Sequence, residues 1–598
     1  MTSLEFALDA AKALFVVVAL GLSIGGLLTW ADRRQGAMMQ DRIGPNRAVV
    51  WLPTRLAQAL ALAPALVAAS AVVALALASR SLEGDARTAR AFLFAHAAVL
   101  LVWVTGMVIA RVVAAYRVRS SFDAFIAWIG DARRILYLGL AGHALVAVPG
   151  LTLRGTAVGH WLREFAFGGA PFVFAVVTLF GAVYAALRLE GAERVGLRLA
   201  GLLHPAADGL KMVFKEDFVP PNADRFLHGL APFVSFFPAL VLLAVVPFGD
   251  TLCLAPNAAG QLDWTSLLSP LAAVPAEGVC AVGAVPLQVV QLNVGLLYVF
   301  ALGGTGIVGA ALAGWSSDNK FSLLGGLRAA SQMVSYEVTL GLTLIGALMI
   351  YGTLRFDEMV AWQARNAWGI FVQPVAAVLF FTAAIAESKR TPFDLPEGES
   401  EIVAGYFTEY SGMKFAMFFF SEYVAIVTVA ALMTTVFFGG WSVPFLDRDG
   451  IRVVVGDTVV ARQALSHLVV IGIGVVAFVT KTVLLCVLQL AIRWTLPRLR
   501  YDHLMRLGWR IILPASLVNV LLTGVVLLAI QGAGPQVLQG LAVAGDLTRV
   551  AVAVAGVAAV VALVRYWAAP VRREPTPETS AVRAARAVGG TRSARMGA

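Results

Sequence analysis

Glu387-Ser-Lys-Arg-Thr-Pro-Phe-Asp-Leu-Pro-Glu-Gly-Glu-Ser-Glu401 separates two apolar runs, 369–386 and 415–438. Each run is close to the ~20 apolar residues that one helical bilayer crossing needs. The pattern recurs along the chain, with about thirteen apolar runs near that length: 10–30, 57–79, 91–110, 135–150, 171–187, 230–248, 289–313, 333–351, 369–386, 415–438, 466–492, 510–531 and 549–567. A membrane β-barrel would show short alternating segments, and these runs do not alternate. The expectation is an all-α, polytopic transmembrane helix bundle.

Composition agrees. Of 598 residues, 59% are hydrophobic and 14% charged, and the mean hydropathy is +0.81, far outside the range of soluble domains. In a soluble chain a net charge of +10 and a pI of 9.7 would suggest nucleic acid. Here the arginines flank apolar runs, so membrane orientation explains them and no nucleic acid is expected. Cys253, Cys280 and Cys486 have no CxxC spacing and the seven histidines are scattered, which supports neither a metal cage nor haem ligation. The run 10–30 has an acidic start and no small-residue cleavage site, and reads as a retained first helix.

Lys and Arg concentrate in segments 32–55, 111–134, 188–228, 314–328, 387–414, 493–510 and 565–598, and are sparse in 249–288, 352–368 and 439–465. The positive-inside rule places the first set in the cytoplasm, the N-terminus outside and the C-terminus inside. Connector 80–90, with Arg80, Arg87 and Arg90, departs from that alternation. Cys253 and Cys280 share a connector assigned to the outside, where a disulfide is permitted; a bridge and two free thiols both fit. Residues 205–228 mix apolar and charged positions at helical spacing, as in a helix lying in the interface plane. The Arg-rich tail 570–598 lacks apolar periodicity and reads as disordered.

Ionisable residues inside membrane runs cost ~2.5–3.5 kcal/mol each on a translocon scale, so their positions are informative. Glu337 is expected to begin a helix, with Ser335 and Tyr336 placed to hydrogen-bond its neutral form; Glu422 recurs in a later run. A water-satisfied interfacial Glu is the bland alternative. In the acidic loop, carboxylates at 387, 394, 397, 399 and 401 are close enough to raise one another's pKa, and several could exchange protons near neutral pH. Lys389, Arg390 and Lys414 are interleaved with them, and Pro392 and Pro396 stiffen the segment. A solvated acidic face is the competing reading. Gly303, Gly304, Gly306 and Gly309 read as helix-packing contacts.

Beyond these physical readings, several segments carry a resemblance. Asp41-Arg-Ile-Gly-Pro-Asn-Arg47, Gly201-Leu-Leu-His-Pro-Ala-Ala-Asp-Gly-Leu-Lys211, Gly314-Trp-Ser-Ser-Asp-Asn-Lys320 and Leu324-Gly-Gly-Leu-Arg-Ala-Ala330 look like family motifs. So do Thr391-Pro-Phe-Asp-Leu-Pro-Glu-Gly-Glu-Ser-Glu401, Thr408-Glu-Tyr-Ser-Gly-Met-Lys414, Phe437-Phe-Gly-Gly-Trp441 and Leu496-Pro-Arg-Leu-Arg-Tyr-Asp502. Together they resemble the H subunit of proton-translocating NADH:quinone oxidoreductase, respiratory complex I, over roughly 5–47 and 194–531, except for an enlarged 249–288 connector.

The resemblance implies an eight-helix core in the bacterial inner membrane, with cytoplasmic loops roofing a quinone cavity. It implies that Arg33, Arg42, Phe393 and Asp394 border quinone. It also implies that Asp32, Asp208, Glu216, Glu337, Glu397, Glu399, Glu401 and Glu409 link quinone reduction to proton pumping. Quinone would be the substrate. NADH, FMN and iron–sulfur clusters would belong to partner subunits of the peripheral and membrane arms, with no cofactor and no metal on this chain.

The chain also departs from the family pattern. Asp32-Arg33 stands where the family usually has Glu-Arg, a carboxylate one methylene shorter. Residues 48–193 read as an insert of about four crossings, an even number because both flanking segments must face the cytoplasm. The domain reading is therefore 1–47, first helix and quinone-site segment; 48–193, insert; 194–531, the family core; and 532–598, one extra C-terminal helix and tail. The competing functions are the homologous subunit of a membrane-bound hydrogenase or formate hydrogenlyase, which neighbouring genes would distinguish, and a standalone ion transporter, disfavoured by the lack of an inverted repeat. A membrane scaffold leaves Glu337 and the acidic loop without a purpose.

Overall fold

The computed structural model describes residues 3–40, 45, 50–53, 141–142, 144, 194–197, 201–253, 255–256, 262–263, 280, 284–448, 450–455 and 458–568. The four-crossing reading of 48–193 and the tail reading of 570–598 lie outside these residues, apart from a two-stranded antiparallel pairing of Val50–Pro53 with Arg194–Leu197. The chain divides into two units, 1–49 with 198–554 and 50–197 with 555–598. The first unit carries everything below except the end of the last helix, from 555 on.

Helices in chain order are α1 (Asp9–Met39), α2 (His204–Phe214), α3 (Arg225–Val241), α4 (Gly295–Ser316), α5 (Lys320–Tyr351), α6 (Phe356–Arg365), α7 (Gly369–Val372) and α8 (Pro374–Glu387). They continue with α9 (Glu399–Ile402), α10 (Gly412–Phe437), α11 (His467–Thr495), α12 (Tyr501–Gln531) and α13 (Pro535–Ala568). Among the described residues eight helices are long and apolar enough to cross a membrane: α1, α3 with its extension to Val245, α4, α5, α10, α11, α12 and the Pro535–Gly556 part of α13. The bundle is all-α, as expected.

Among the described residues, the run 369–386 breaks. Pro374 has no N–H to continue a helix from α7, so the run splits at Gln373. The backbone at the break stays bonded, Gln373 N–H to the Gly369 carbonyl at 2.7 Å and Ala377 N–H to the Gln373 carbonyl at 3.0 Å, and the Gln373 side chain is held by Thr523 and Asn519 at 2.8 and 3.0 Å. A broken segment at membrane depth is tolerated on those terms.

Two expectations are corrected. Glu337 does not begin a helix: α5 starts at Lys320, where the Asn319 side chain accepts the Phe321 N–H, an N-cap preceding the apolar run. The in-plane segment is shorter than 205–228. α2 ends at Phe214 and Pro220-Pro221 hold the following chain extended or turned. None of its residues is buried, and Leu210, Val213 and Phe214 face outward, as suits an interfacial helix.

On the side of the 249–288 connector, Cys253 and Cys280 are bonded with Cα atoms 5.3 Å apart, so the bridge reading holds. Asp250 takes two hydrogen bonds from Arg448, at 2.6 and 2.7 Å, and His467 Nε2 accepts from the Cys253 N–H at 3.1 Å. The two connectors are thereby tied to each other, and the first is also tied to the start of α11.

Candidate functional site

The acidic loop turns inward. α8 ends at Glu387, and Lys389 and Arg390 just beyond it are buried, with relative exposures of 8% and 6%. A buried cation must be paired. Arg390 meets Glu422 of α10 at 3.1 Å and stacks over the Tyr423 ring at 4.3 Å. Lys389 Nζ donates to the Tyr406 hydroxyl at 3.2 Å, and that hydroxyl donates to Glu422 Oε1 at 3.4 Å. The Tyr406 position depends on Gly405, whose φ of +55° brings its Cα against the Pro396 carbonyl where a side chain has no room.

From Glu422 the network reaches α1. Tyr423 donates to Asp32 at 2.9 Å, and Asp32 also binds Arg493 at 2.5 Å and the Trp494 indole N–H at 2.8 Å. Asp32 is thus buried, ion-paired and fully engaged, and reads as the anchor of α1 to α10 and α11.

A cavity of about 980 Å³ of empty space, its open side included, extends along the interior between α3, α4, α5, α8 and α10. Glu387, Ser388, Lys389 and Glu422 line one end, and Phe380, Leu344, Leu432 and Val436 the other. Glycines of α4 make the carboxylates fit. A Cβ on Gly304 would lie 2.7 Å from Glu337 Oε1, and one on Gly303 3.6 Å from Glu387 Oε1. The glycine stripe is a packing device, as its sequence suggested, but what packs on it includes two acids. The expected partners of Glu337 bond elsewhere: Ser335 Oγ to the Ser331 carbonyl and Tyr336 OH to the Leu504 carbonyl.

Burial, followed by the neighbouring Glu397, pushes Asp394 up to about 8, even with Arg498 nearby. Its Oδ2 lies 3.8 Å from the Arg498 guanidinium, which also bonds the Asp394 carbonyl. Burial lowers Lys389 from its ordinary value, and burial and then Glu422 raise Tyr406. Asp394 is therefore a group in this loop that exchanges its proton near neutral pH.

The other sequence candidates separate. Glu397 is half-buried beside Asp394. Glu401 is exposed and pairs with Arg328 at 2.6 Å, while Glu409 accepts from Asn319 at 2.6 Å. Asp208 pairs with Arg33 at 2.8 Å, and Glu216 is exposed. Lys414 leaves the loop cluster to pair with Asp217 at 2.9 Å. Phe393 is buried in the core against Tyr336 and is not among the cavity-lining residues. Arg42 and the side chain of Glu399 lie outside the described residues. Sequence reasoning under-weighted Glu387, Lys389, Arg390, Tyr406 and Glu422; the available signal was an acid in mid-run at 422 and a Lys-Arg pair directly after an apolar run.

A family model described as NADH dehydrogenase matches residues 172–524, beginning inside the segment read as an insert. The chain is 43% identical to the first NADH-quinone oxidoreductase H subunit of Geobacter sulfurreducens over 361 residues, 59% of this chain and 92% of that protein. It is 42% identical to the second such H subunit of Geobacter metallireducens over 363 residues, again 59% and 92%. With the first H subunit of Cytophaga hutchinsonii the identity is 36% over 364 residues, 60% and 95%.

Proposed function

The chain belongs to the family of NADH-quinone oxidoreductase H subunits, and from that premise we propose that it borders the quinone site of complex I and couples quinone reduction to proton translocation. The observation that carries the coupling is the internal cavity, whose one end holds Glu387, Lys389 and Glu422 with Glu337 against the adjoining glycine. Acids held against a low-dielectric lumen, with Glu422 in reach of Arg390 and Tyr406, can take up and release protons as neighbouring charges change. The loop 388–411 links that cluster to Asp394 and Glu397 on the cytoplasmic side.

Quinone is the substrate in this reading. Its entrance is placed beside Arg33, whose pair with Asp208 joins the end of α1 to α2, with the outward apolar residues Leu210, Val213 and Phe214 of α2 offering an amphipathic approach from the membrane. Asp394 and Arg42 border the head-group side; the burial of Phe393 argues against direct contact. In this reading the chain itself holds no cofactor and no metal. NADH, FMN and iron–sulfur clusters reside in partner subunits, and the exposed charged loops face the peripheral arm.

The protein is a multi-pass membrane protein, and the bacterial inner membrane is its proposed location. The Cys253–Cys280 bridge supports placing that connector in the oxidising compartment outside, which agrees with an outside N-terminus and a cytoplasmic C-terminus. The test is Glu387→Gln in the assembled complex, at a cavity-lining acid. It keeps shape and removes titration, and NADH:quinone reductase activity should fall at least severalfold, since a rate-limiting acid–base group is worth ~10²–10⁴. Wild-type turnover with wild-type pumping would reject the reading.

A further inference from the structure

Lys481 lies midway along α11, a costly place for a cation. Its Nζ donates to three backbone carbonyls, those of Phe438 at 2.9 Å, Gly440 at 2.9 Å and Ser442 at 2.8 Å. Three acceptors require three N–H donors, which only the ammonium form has. The same nitrogen sits 4.2 Å from the centroid of the Trp368 ring. The carbonyls belong to the turn that ends α10, where unsatisfied C=O groups and the negative end of the helix dipole favour a cation.

That turn is held from the other side as well. Gln363, almost wholly buried, accepts from the Gly439 N–H at 3.0 Å and the Gly369 N–H at 2.9 Å, and donates to the Thr435 carbonyl at 2.8 Å. Tyr351 OH donates to the Val436 carbonyl at 2.7 Å. Gly439 and Gly440 both have positive φ, 72° and 51°, and an added Cβ on either would collide with Trp368 or Val360. Val436, whose carbonyl is so engaged, is also a lining residue of the internal cavity, at the end opposite Glu387 and Glu422.

We propose that Lys481, Gln363, Tyr351 and Trp368 form a plug that closes the cavity at the C-terminal end of α10, so that protons entering among the cavity carboxylates cannot leave through that end. A lysine bonded to fixed carbonyls seals better than apolar packing alone: it engages the carbonyls of the turn and sets a positive charge across the path of a proton. That the excluded ion is a proton rests on the function proposed above; the seal itself does not, and the experiment separates them.

With the assembled complex in closed vesicles, Lys481→Met should leave NADH:quinone reductase activity within about twofold while raising passive proton leak, without turnover, at least threefold; Lys481→Arg should restore tightness. The second readout is labelling of Val436→Cys by a membrane-impermeant maleimide added from the disulfide-bearing face. It should be unreactive alone and reactive when combined with Lys481→Met. If Lys481→Met does not assemble, Gln363→Met, which loses three of the plug's hydrogen bonds, takes its place. Labelling of Val436→Cys in the otherwise unchanged chain overturns the seal. Wild-type tightness to the maleimide in the plug variants also overturns it, and labelling gained without proton leak keeps the seal but removes the proton reading of the cavity.

Discussion

Arg390 and Glu422 meet at 3.1 Å with side-chain exposures of 7% and 2%, the most deeply buried ion pair among the described residues. Removing one partner of such a pair leaves the other charge uncompensated, at a cost of about 3–5 kcal/mol. Arg390→Met should therefore destabilise the protein by that order, read as lost assembly or a lowered unfolding temperature of the purified complex. Arg390→Met with Glu422→Gln should recover much of the loss. A double variant no better than the single one would show that the two side chains do not act as a pair.

Asp394 gives a pH dependence whose sign is fixed. Its folded-state pKa is raised to about 8 from the ordinary 3.8, so the native protein binds the extra proton between those values. Its contribution to stability is then complete below about 4 and is lost as pH rises through about 8. Infrared difference spectra should contain a protonated carboxyl band that disappears with a midpoint near pH 8 and is absent in Asp394→Asn. A band already lost at pH 5 would contradict the burial argument.

Gly304 tests the packing of the acids. A Cβ there would stand 2.7 Å from Glu337 Oε1, whereas at Gly341 nothing lies within 4 Å. Gly304→Ala should displace the Glu337 carboxylate and lower coupled activity severalfold with assembly retained, while Gly341→Ala should be silent. Equal behaviour of the two would leave Gly304 without a role in placing that acid.

Much of this architecture was legible because the bilayer demands it. Length and apolarity marked the core crossings, whereas the break within 369–386, read as one run, went unread although Pro374 was its signal. Helix starts in polar sequence were not legible: α5 begins 13 residues before the apolar run at 333, because a cap at Asn319 and tertiary packing carry it. The loop carboxylates were recognisable as a group, yet their separate fates were not. Whether a glutamate meets Arg328, as Glu401 does, or Arg390, as Glu422 does, depends on which helices lie side by side. The contact between Asp32 and Tyr423 joins positions 391 residues apart, a separation at which neither spacing nor periodicity carries information.

The disulfide should appear as a single linked peptide pair, Cys253 with Cys280, in non-reduced digests. In the chain-entropy model closing a loop of this size stabilises it by about 3–4 kcal/mol, so Cys253→Ser with Cys280→Ser should lower the unfolding temperature without altering quinone reduction. Two freely alkylated thiols in the native complex would contradict the bridge.

The carboxylates differ in weight because they differ in place. Glu387 and Glu422 line the cavity, whereas Glu401 is exposed and paired with Arg328. The most direct test is the number of protons translocated per NADH oxidised by the complex in closed vesicles bearing Glu387→Gln, beside Glu401→Gln. Pumping should collapse in Glu387→Gln and stay within about twofold of wild type in Glu401→Gln, whose surface ion pair is worth only about 0–1 kcal/mol. Full proton translocation in Glu387→Gln would contradict the coupling role of the cavity acids.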